Sequence, residues 1–190
     1  MSEEFSKFVD KTGFFALRGD LDGERQEEYS EFEQLIGLHV EAEEFLLPIS
    51  EISEILMLTP ITYVPRSPKY IEGVINLRGI IIPTINLRKL AGHSRGKQTQ
   101  NTRIIVVKYT EMLFGLIVDG ITYVQSLAPN EIDHQSLPLK NSNIDVITKI
   151  AKKDNSIRGI LDVGKIIELS AEGKLTDDKN SEDDEDLQEA

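Results

Sequence analysis

Short apolar runs rich in β-branched residues alternate with turn residues through the middle of the chain, a pattern typical of β-strands. Predicted strands cover residues 35–40, 45–49, 54–58, 73–77 and 80–87, and then 103–109, 113–118, 121–127, 145–151 and 157–163. The polar stretch 93–102 separates these two groups of five as an exposed connection. Helical patterns are limited to one turn at 86–90 and a short apolar segment at 163–169.

The arrangement of these elements predicts a mainly β fold. No long helical pattern alternates with the strands, so the crossovers of a parallel sheet are disfavoured. Small antiparallel sheets commonly hide their edges by closing. We therefore expect two small five-stranded barrels side by side, dividing near residues 93–102, with short helices and acidic tails.

Three turn or strand-breaking features refine this prediction. Arg78-Gly79 is placed to make a tight turn between two strands. Pro83 lacks an amide donor, so its strand is expected to be an edge or to be bulged there. Asp119-Gly120 lies between two apolar runs and predicts a hairpin turn.

Charge divides the chain into three parts. Residues 1–34 carry 10 acids and 4 bases, residues 171–190 carry 9 and 2, and the part between carries 14 and 15. The composition predicts an acidic leader at 1–31, either flexible or forming a short helix that docks on a partner, and a disordered acidic tail at 171–190. A near-neutral middle with acidic ends lacks the basic face that a nucleic-acid phosphate backbone requires, so no nucleic acid is expected as a partner.

The residues of an enzyme or metal centre are missing from the sequence. It has no Cys, and His39, His93 and His134 are far apart, with no companion at ligand spacing. No nucleophile elbow or nucleotide-binding loop is recognisable. We expect no catalytic residue, no metal and no cofactor. The chain also lacks a secretory leader and any apolar run long enough to span a membrane, which predicts a cytoplasmic protein without direct membrane insertion.

The most informative motif is the segment 73–88, in which polar residues interrupt an apolar run at fixed points. It reads Gly-Val-Ile-Asn-Leu-Arg-Gly-Ile-Ile-Ile-Pro-Thr-Ile-Asn-Leu-Arg. A guanidinium among aliphatic side chains needs an acceptor, because it has lost hydration. For Arg78 this acceptor is either internal, with Glu54 as one candidate, or supplied by a partner.

The segment closely resembles the signature of CheW-type chemotaxis coupling proteins, and the resemblance covers roughly residues 32–170. Val64-Pro65 and residues 70–73 precede the signature, residues 114–121 resemble the motif of the second half, and residues 160–167 resemble the closing strand and helix. The resemblance implies two five-stranded SH3-like barrels and a non-catalytic scaffold. Its implied partners are the cytoplasmic tip of a chemoreceptor (a methyl-accepting chemotaxis protein) and the regulatory domain of the histidine kinase CheA. Its implied location is the cytoplasm, at membrane-associated receptor arrays reached through those partners.

The resemblance also assigns candidate contact residues. Glu54, Gly73, Asn76 and Arg78 would bind the receptor in a groove between the barrels, with Arg78 reaching an acceptor on the receptor helix. The kinase-binding candidates are Ile36, Ile49 and Ile52, on the first barrel. Ile36 and Ile49 alternate as core residues do, so core packing stays open for these two.

Two other function classes stay open. The resemblance fits a chemotaxis adaptor and an adaptor of another chemosensory pathway, such as surface motility or developmental control, equally well. A small-ligand or oligonucleotide-binding barrel is weaker, because aromatics make up 6% of residues, Trp is absent and the middle carries no excess of basic charge.

Overall fold

The computed structural model describes residues 32–94, 96–134, 146–153 and 155–172, without the side chains of residues 171 and 172. The predicted leader at 1–31, and all but the first two residues of the predicted tail, lie outside this range. The described strands are β1 (Glu33–Val40), β2 (Glu43–Pro48), β3 (Ile52–Met57), β4 (Ile71–Leu77), β5 (Ile80–Asn86), β6 (Arg103–Tyr109), β7 (Met112–Val118), β8 (Gly120–Leu127), β9 (Ile132–Asp133), β10 (Ile147–Lys153) and β11 (Ser156–Leu161). The described helices are α1 (Leu87–Leu90) and α2 (Val163–Glu172), with short 3-10 turns at Ile49–Glu51 and Pro129–Glu131.

The strands form two sheets, which confirms the mainly β class. The six-stranded sheet has the order β8-β1-β2-β11-β10-β9, and the five-stranded sheet has the order β3-β6-β7-β5-β4. The predicted division near 93–102 is wrong as a boundary between them, because that connection joins β5 and α1 to β6 of the same sheet. The chain changes sheet instead at the 3-10 turn after β2 and at Asp119, between β7 and β8. Pairing between strands distant in sequence caused this difference, and a linear pattern does not encode it.

The two sheets repeat one arrangement in permuted chain order. In each, a hairpin lies at the centre (β1–β2 or β6–β7), and its second strand pairs in parallel with the last strand of another hairpin (β11 or β5). A single strand, β8 or β3, pairs with the first strand of the central hairpin. Register shifts occur at matching places, between Ile71 and Gly73 in one sheet and between Ile147 and Lys149 in the other.

Central strands are apolar throughout because both of their faces are buried. In β6, Ile105 and Val107 point into a shared core between the sheets, whereas Ile104 and Val106 point into a separate core of the five-stranded sheet. All four are 0% exposed. Since successive strand side chains point to opposite faces, an uninterrupted apolar run serves two cores. A third core, of Leu35, Leu46, Leu127, Ala151 and Ile160, belongs to the six-stranded sheet.

The predicted turn at Arg78-Gly79 is confirmed. Arg78 has φ +52° and Gly79 has φ +88°, between the end of β4 and the start of β5. Positive φ at both central residues suits a two-residue hairpin turn. At Pro83, β5 pairs with β4 alone, because its ladder with β7 begins at Thr84.

The predicted hairpin at Asp119 is wrong. The strands on either side of it, β7 and β8, belong to different sheets, and neither Asp119 nor Gly120 has a positive φ. Asp119 instead occupies a crossing between sheets, where its amide donates to the carbonyl of His39 at 2.9 Å.

Substitution of Gly73 should be costly for two separable reasons. A Cβ on Gly73 would overlap the carbonyl of Thr62, and its φ of +147° disfavours any other residue. We expect Gly73→Ala to lower the free energy of unfolding by about 2–4 kcal/mol, measured by urea denaturation. Gly79→Ala is the matched control, because a Cβ there meets nothing within 4 Å at a φ of +88°. It should cost only about 1–2 kcal/mol, and equal losses in the two variants would contradict the steric part of the argument.

Candidate functional site

Arg78 and Glu54 join the two edges of the five-stranded sheet. Nη2 of Arg78 lies 3.0 Å from Oε1 of Glu54, which is on β3, whereas Arg78 follows β4. These strands are at opposite ends of the sheet order, so the sheet curls until its edges meet. The Arg78 side chain is 64% exposed and that of Glu54 is 11% exposed. The internal acceptor considered for Arg78 is therefore present, and the guanidinium still faces solvent.

Gly73 and Asn76 play local structural parts in this region. Gly73 is buried, and the space beside it is filled by Thr62, whose amide and carbonyl pair with Val74. The close approach that Gly73 permits is thus made to this chain's own backbone. Asn76 is exposed, and its Oδ1 accepts the amide of Gly79 at 2.8 Å, which stabilises the turn that carries Arg78.

The three isoleucines assigned to the kinase have different environments. Ile36 is 1% exposed and lies in the shared core, so it has almost no area to offer a partner, and the structure contradicts its assignment as a contact residue. Ile49 and Ile52 are half-buried and pack against the same core. Ile49 begins the 3-10 turn where the chain changes sheet, Ile52 follows this turn at the start of β3, and both remain candidates for a contact.

A β-bulge separates Ile52 from Glu54 on β3. The register shifts between these two residues, with Ile52 opposite Val107 and Glu54 opposite Val106. Residues two apart in a regular strand share a face, and an inserted residue changes this. The bulge therefore directs Ile52 toward the shared core and Glu54 to the opposite face, where Arg78 lies. One short strand thus carries a member of each candidate contact set.

Sequence reasoning missed two exposed apolar residues beside Arg78. Ile80 is 56% exposed and Ile81 is 61% exposed, although both belong to an apolar run that reads as core. Ile82, farther from the turn, is fully buried. Proximity to the predicted Arg78-Gly79 turn was the available signal, since a hairpin tip projects from the body of its sheet.

Arg88 ties the two sheets together at the second crossing. Its Nε lies 2.9 Å from Oδ2 of Asp119, and its Nη1 lies 2.9 Å from Oε1 of Glu41 in the β1–β2 turn. The Glu41 amide donates to Asp119 at 2.6 Å, and Nδ1 of His93 lies 3.1 Å from Glu41 Oε2. Gly96 leaves the space that the guanidinium fills. The last Arg of the 73–88 motif thus binds the Asp of the second motif.

Glu51 occupies the corresponding place at the first crossing. Burial raises the pKa of its carboxyl group above the usual 4.5, and the nearby carboxylates of Asp162 and Glu33 raise it further. Lys149 and a hydrogen bond from the Val163 amide act in the opposite direction. Oε2 of Glu51 is buried and has no hydrogen-bond partner among the described residues.

The described residues do not supply a metal site or a membrane span. No group of three His, Asp or Glu side chains in that part of the chain is arranged to hold a metal ion. None of its helices is both long and apolar enough to cross a bilayer. The acidic and histidine side chains that do meet are engaged in ion pairs, as at Arg88.

Comparisons with known proteins agree with the motifs and the topology. Residues 34–171 match the CheW-like domain family. The chain is 34% identical to the chemotaxis protein CheW of Helicobacter pylori over 145 residues, 76% of this chain and 87% of that protein. It is 29% identical to CheW of Bacillus subtilis, over 77% of this chain and 94% of that protein. A crystal structure of the scaffolding protein TtCheW from Thermoanaerobacter tengcongensis superposes with a TM-score of 0.63 and 32% identity, covering 70% of this chain and 85% of that one.

Loss of the Asp119 charge should weaken the fold at the second crossing. Asp119→Asn keeps the shape but removes one partner of a half-buried guanidinium, so we expect unfolding free energy to fall by about 1–2 kcal/mol. Urea denaturation measures this. Asp133→Asn is the matched control, because its ion pair with Lys152 has side chains 39% and 50% exposed. That control should leave the midpoint unchanged, and a similar loss in both variants would refute the special role of Asp119.

Glu51 should make stability fall as pH rises. With a raised pKa in the folded protein, the folded state binds a proton more readily than the unfolded state between 4.5 and the raised value. The free energy of unfolding therefore falls as the pH rises from 4.5 to the raised pKa, and it stays at the lower value above that pH. Glu51→Gln keeps an acceptor for the Val163 amide without the buried charge. We expect a higher melting temperature than the parent at pH 7 and a gap that closes toward pH 4; a gap that is constant with pH would contradict this cause.

Proposed function

The chain belongs to the CheW-like domain family and is a chemotaxis adaptor, and on this premise we propose that it joins the cytoplasmic tip of a chemoreceptor to the regulatory domain of the histidine kinase CheA. It works in the cytoplasm, at receptor arrays that it reaches through these partners. It acts by binding alone and catalyses no reaction. No particular observation favours an adaptor role in surface motility or development, or an oligonucleotide-binding barrel.

The single observation that carries the receptor contact is the exposed ion pair of Arg78 and Glu54. A guanidinium that is 64% exposed keeps donors free for a second acceptor, while its existing partner holds it in place. Ile80 and Ile81 provide exposed apolar area next to it. A receptor helix that offers a carboxylate or carbonyl beside an apolar stripe fits this surface.

The kinase contact is argued from the first crossing. Ile49 presents half-buried apolar area on the 3-10 turn between the sheets, and Ile52 presents it at the start of β3. Because β3 links this turn to Glu54, both partners would bind one rigid strand. An adaptor transmits a state between its partners only if both bias the same assembly, and a shared strand meets that condition.

Arg78→Ala should separate binding from folding. In this variant water can hydrate the exposed edge of the Glu54 carboxylate in place of the guanidinium. We therefore expect the free energy of unfolding to fall by only about 1–2 kcal/mol. Receptor-dependent activation of the kinase should be lost, measured by kinase autophosphorylation with receptor fragments and the full chain. Binding of the kinase regulatory domain alone should be unchanged.

Two controls sharpen that experiment. Arg78→Lys keeps the charge without the planar fork and should restore activation only in part. Arg103→Gln removes a guanidinium that bonds to the carbonyls of Gln100 and Thr102, and it should leave activation intact. If Arg78→Ala melts far below the parent and the refolded fraction still activates the kinase, Arg78 has a structural role alone.

A further inference from the structure

The repeat between the two sheets reveals one end of the six-stranded sheet where polar residues replace a core. Ile82 lies opposite Ile75 in one hairpin, and Arg158 lies opposite Ala151 in the other. Several apolar positions around Ile82 have a polar residue or a glycine as their counterpart around Arg158. The five-stranded sheet has Leu56, Ile82, Val106 and Leu113, and the corresponding residues of the six-stranded sheet are Gln125, Arg158, Gly37 and Glu44.

Arg158 is buried at the place of a core isoleucine. It is 8% exposed, while Ile82 is 0% exposed. Its guanidinium lies 5.6 Å from the ring centroid of Tyr123, and its Nη2 donates to Oε1 of Gln125 at 3.2 Å. Gly37 lets Thr122 and Glu44 approach the strand closely, since a Cβ there would overlap Oγ1 of Thr122 and lie 3.2 Å from Oε1 of Glu44.

The guanidinium is incompletely paired. Oε2 of Glu44 is 4.0 Å from Nη1, beyond hydrogen-bond distance, and Glu44 already accepts the Thr122 hydroxyl at 3.0 Å. Among the described residues, no partner reaches Nε of Arg158 or Nε2 of Gln125. Both unpaired groups are donors, and the Nη2–Oε1 bond holds their side chains together.

Such a cluster opposes folding rather than assisting it. Buried donors without acceptors are destabilising, and replacing a buried ionic group with a fitting apolar one is often neutral or stabilising. The other sheet shows that an apolar set closes the same geometry. Polar groups that a fold does not need are commonly kept for binding.

We propose that Arg158 and Gln125 form a binding site for a carboxylate group. A carboxylate has two oxygens and accepts side by side from planar donors, which matches the free Nε–H and the free amide. Tyr123 is 43% exposed and stacks on the guanidinium, so it must turn aside for the ligand to enter.

Two sources of the carboxylate share this chemistry: a small free carboxylate, or an acidic side chain of a protein partner. The first does not depend on the proposed adaptor function, whereas the second rests on it. The test therefore has one arm for each source and a stability measurement common to both.

The stability measurement uses Arg158→Ile, which copies the residue of the other sheet. We expect a melting temperature equal to or above that of the parent, because the unpaired donors are removed. Gln125→Leu, which copies Leu56, is a second variant that leaves Arg158 in place and guards against a folding defect. A marked fall in melting temperature in both variants would show that the cluster is structural and would overturn the proposal.

The small-ligand arm follows the Nε–H resonance of Arg158 in the full chain, identified by its loss in Arg158→Ile. Sodium acetate and sodium glutarate are titrated against sodium chloride at matched ionic strength. A saturable shift with the carboxylates and none with chloride supports a free carboxylate as ligand.

The partner arm measures binding of the receptor fragment and of the kinase regulatory domain to the parent and the variants. A loss of about tenfold for one partner in Arg158→Ile, the equivalent of one charge-assisted hydrogen bond, supports a partner's acidic side chain as the source. Arg103→Gln should bind as the parent does. If carboxylates do not shift the Nε–H resonance and neither partner binds Arg158→Ile more weakly than the parent, the site does not exist. This outcome leaves the Arg78 experiment untouched.

Discussion

The shared core between the two sheets is the contact on which the rest of the structure depends. It draws side chains from β1 and β2 on one side and from β5, β6 and β7 on the other. Because successive strand residues alternate between faces, the strands that line it also line the separate cores of their own sheets. Fully buried aliphatic side chains contribute about 1.5–3 kcal/mol each, so this apolar contact outweighs the single ion pairs at the surface and makes the two sheets one body.

The polar contacts at the two crossings have a different task. Each crossing carries an acid directed at the start of a helix: Asp119 binds Arg88 at the beginning of α1, and Glu51 accepts the amide of Val163 at the beginning of α2. Apolar packing is non-directional, so it brings the sheets together without choosing one angle between them. Directional hydrogen bonds at the crossings select that angle, and with it the positions of the surfaces available to partners.

The two sheets differ in how they fill one part of their cores. Where the five-stranded sheet has aliphatic residues, the six-stranded sheet has a buried arginine and a glycine closely approached by Thr122. Similarly, Ile80 and Ile81 are exposed, although they belong to an apolar run that could have been wholly buried. In each place a strand pattern that would favour stability is interrupted, and the interruption lies at a hairpin or beside an exposed aromatic ring.

The sequence by itself determined the class of fold, most strand positions, the Arg78-Gly79 turn and the family, because strand alternation, turn chemistry and motif spacing are local properties of a chain. It left open whether Ile36 is core or contact, and whether Arg78 pairs with Glu54, since both depend on which strands become neighbours. Only the tertiary structure decided the membership of the sheets, the crossing at Asp119, the ion pairs of Arg88 and the burial of Arg158. Those features arise from contacts between segments far apart in sequence, and hydrophobic periodicity specifies the face of a strand but not its partner.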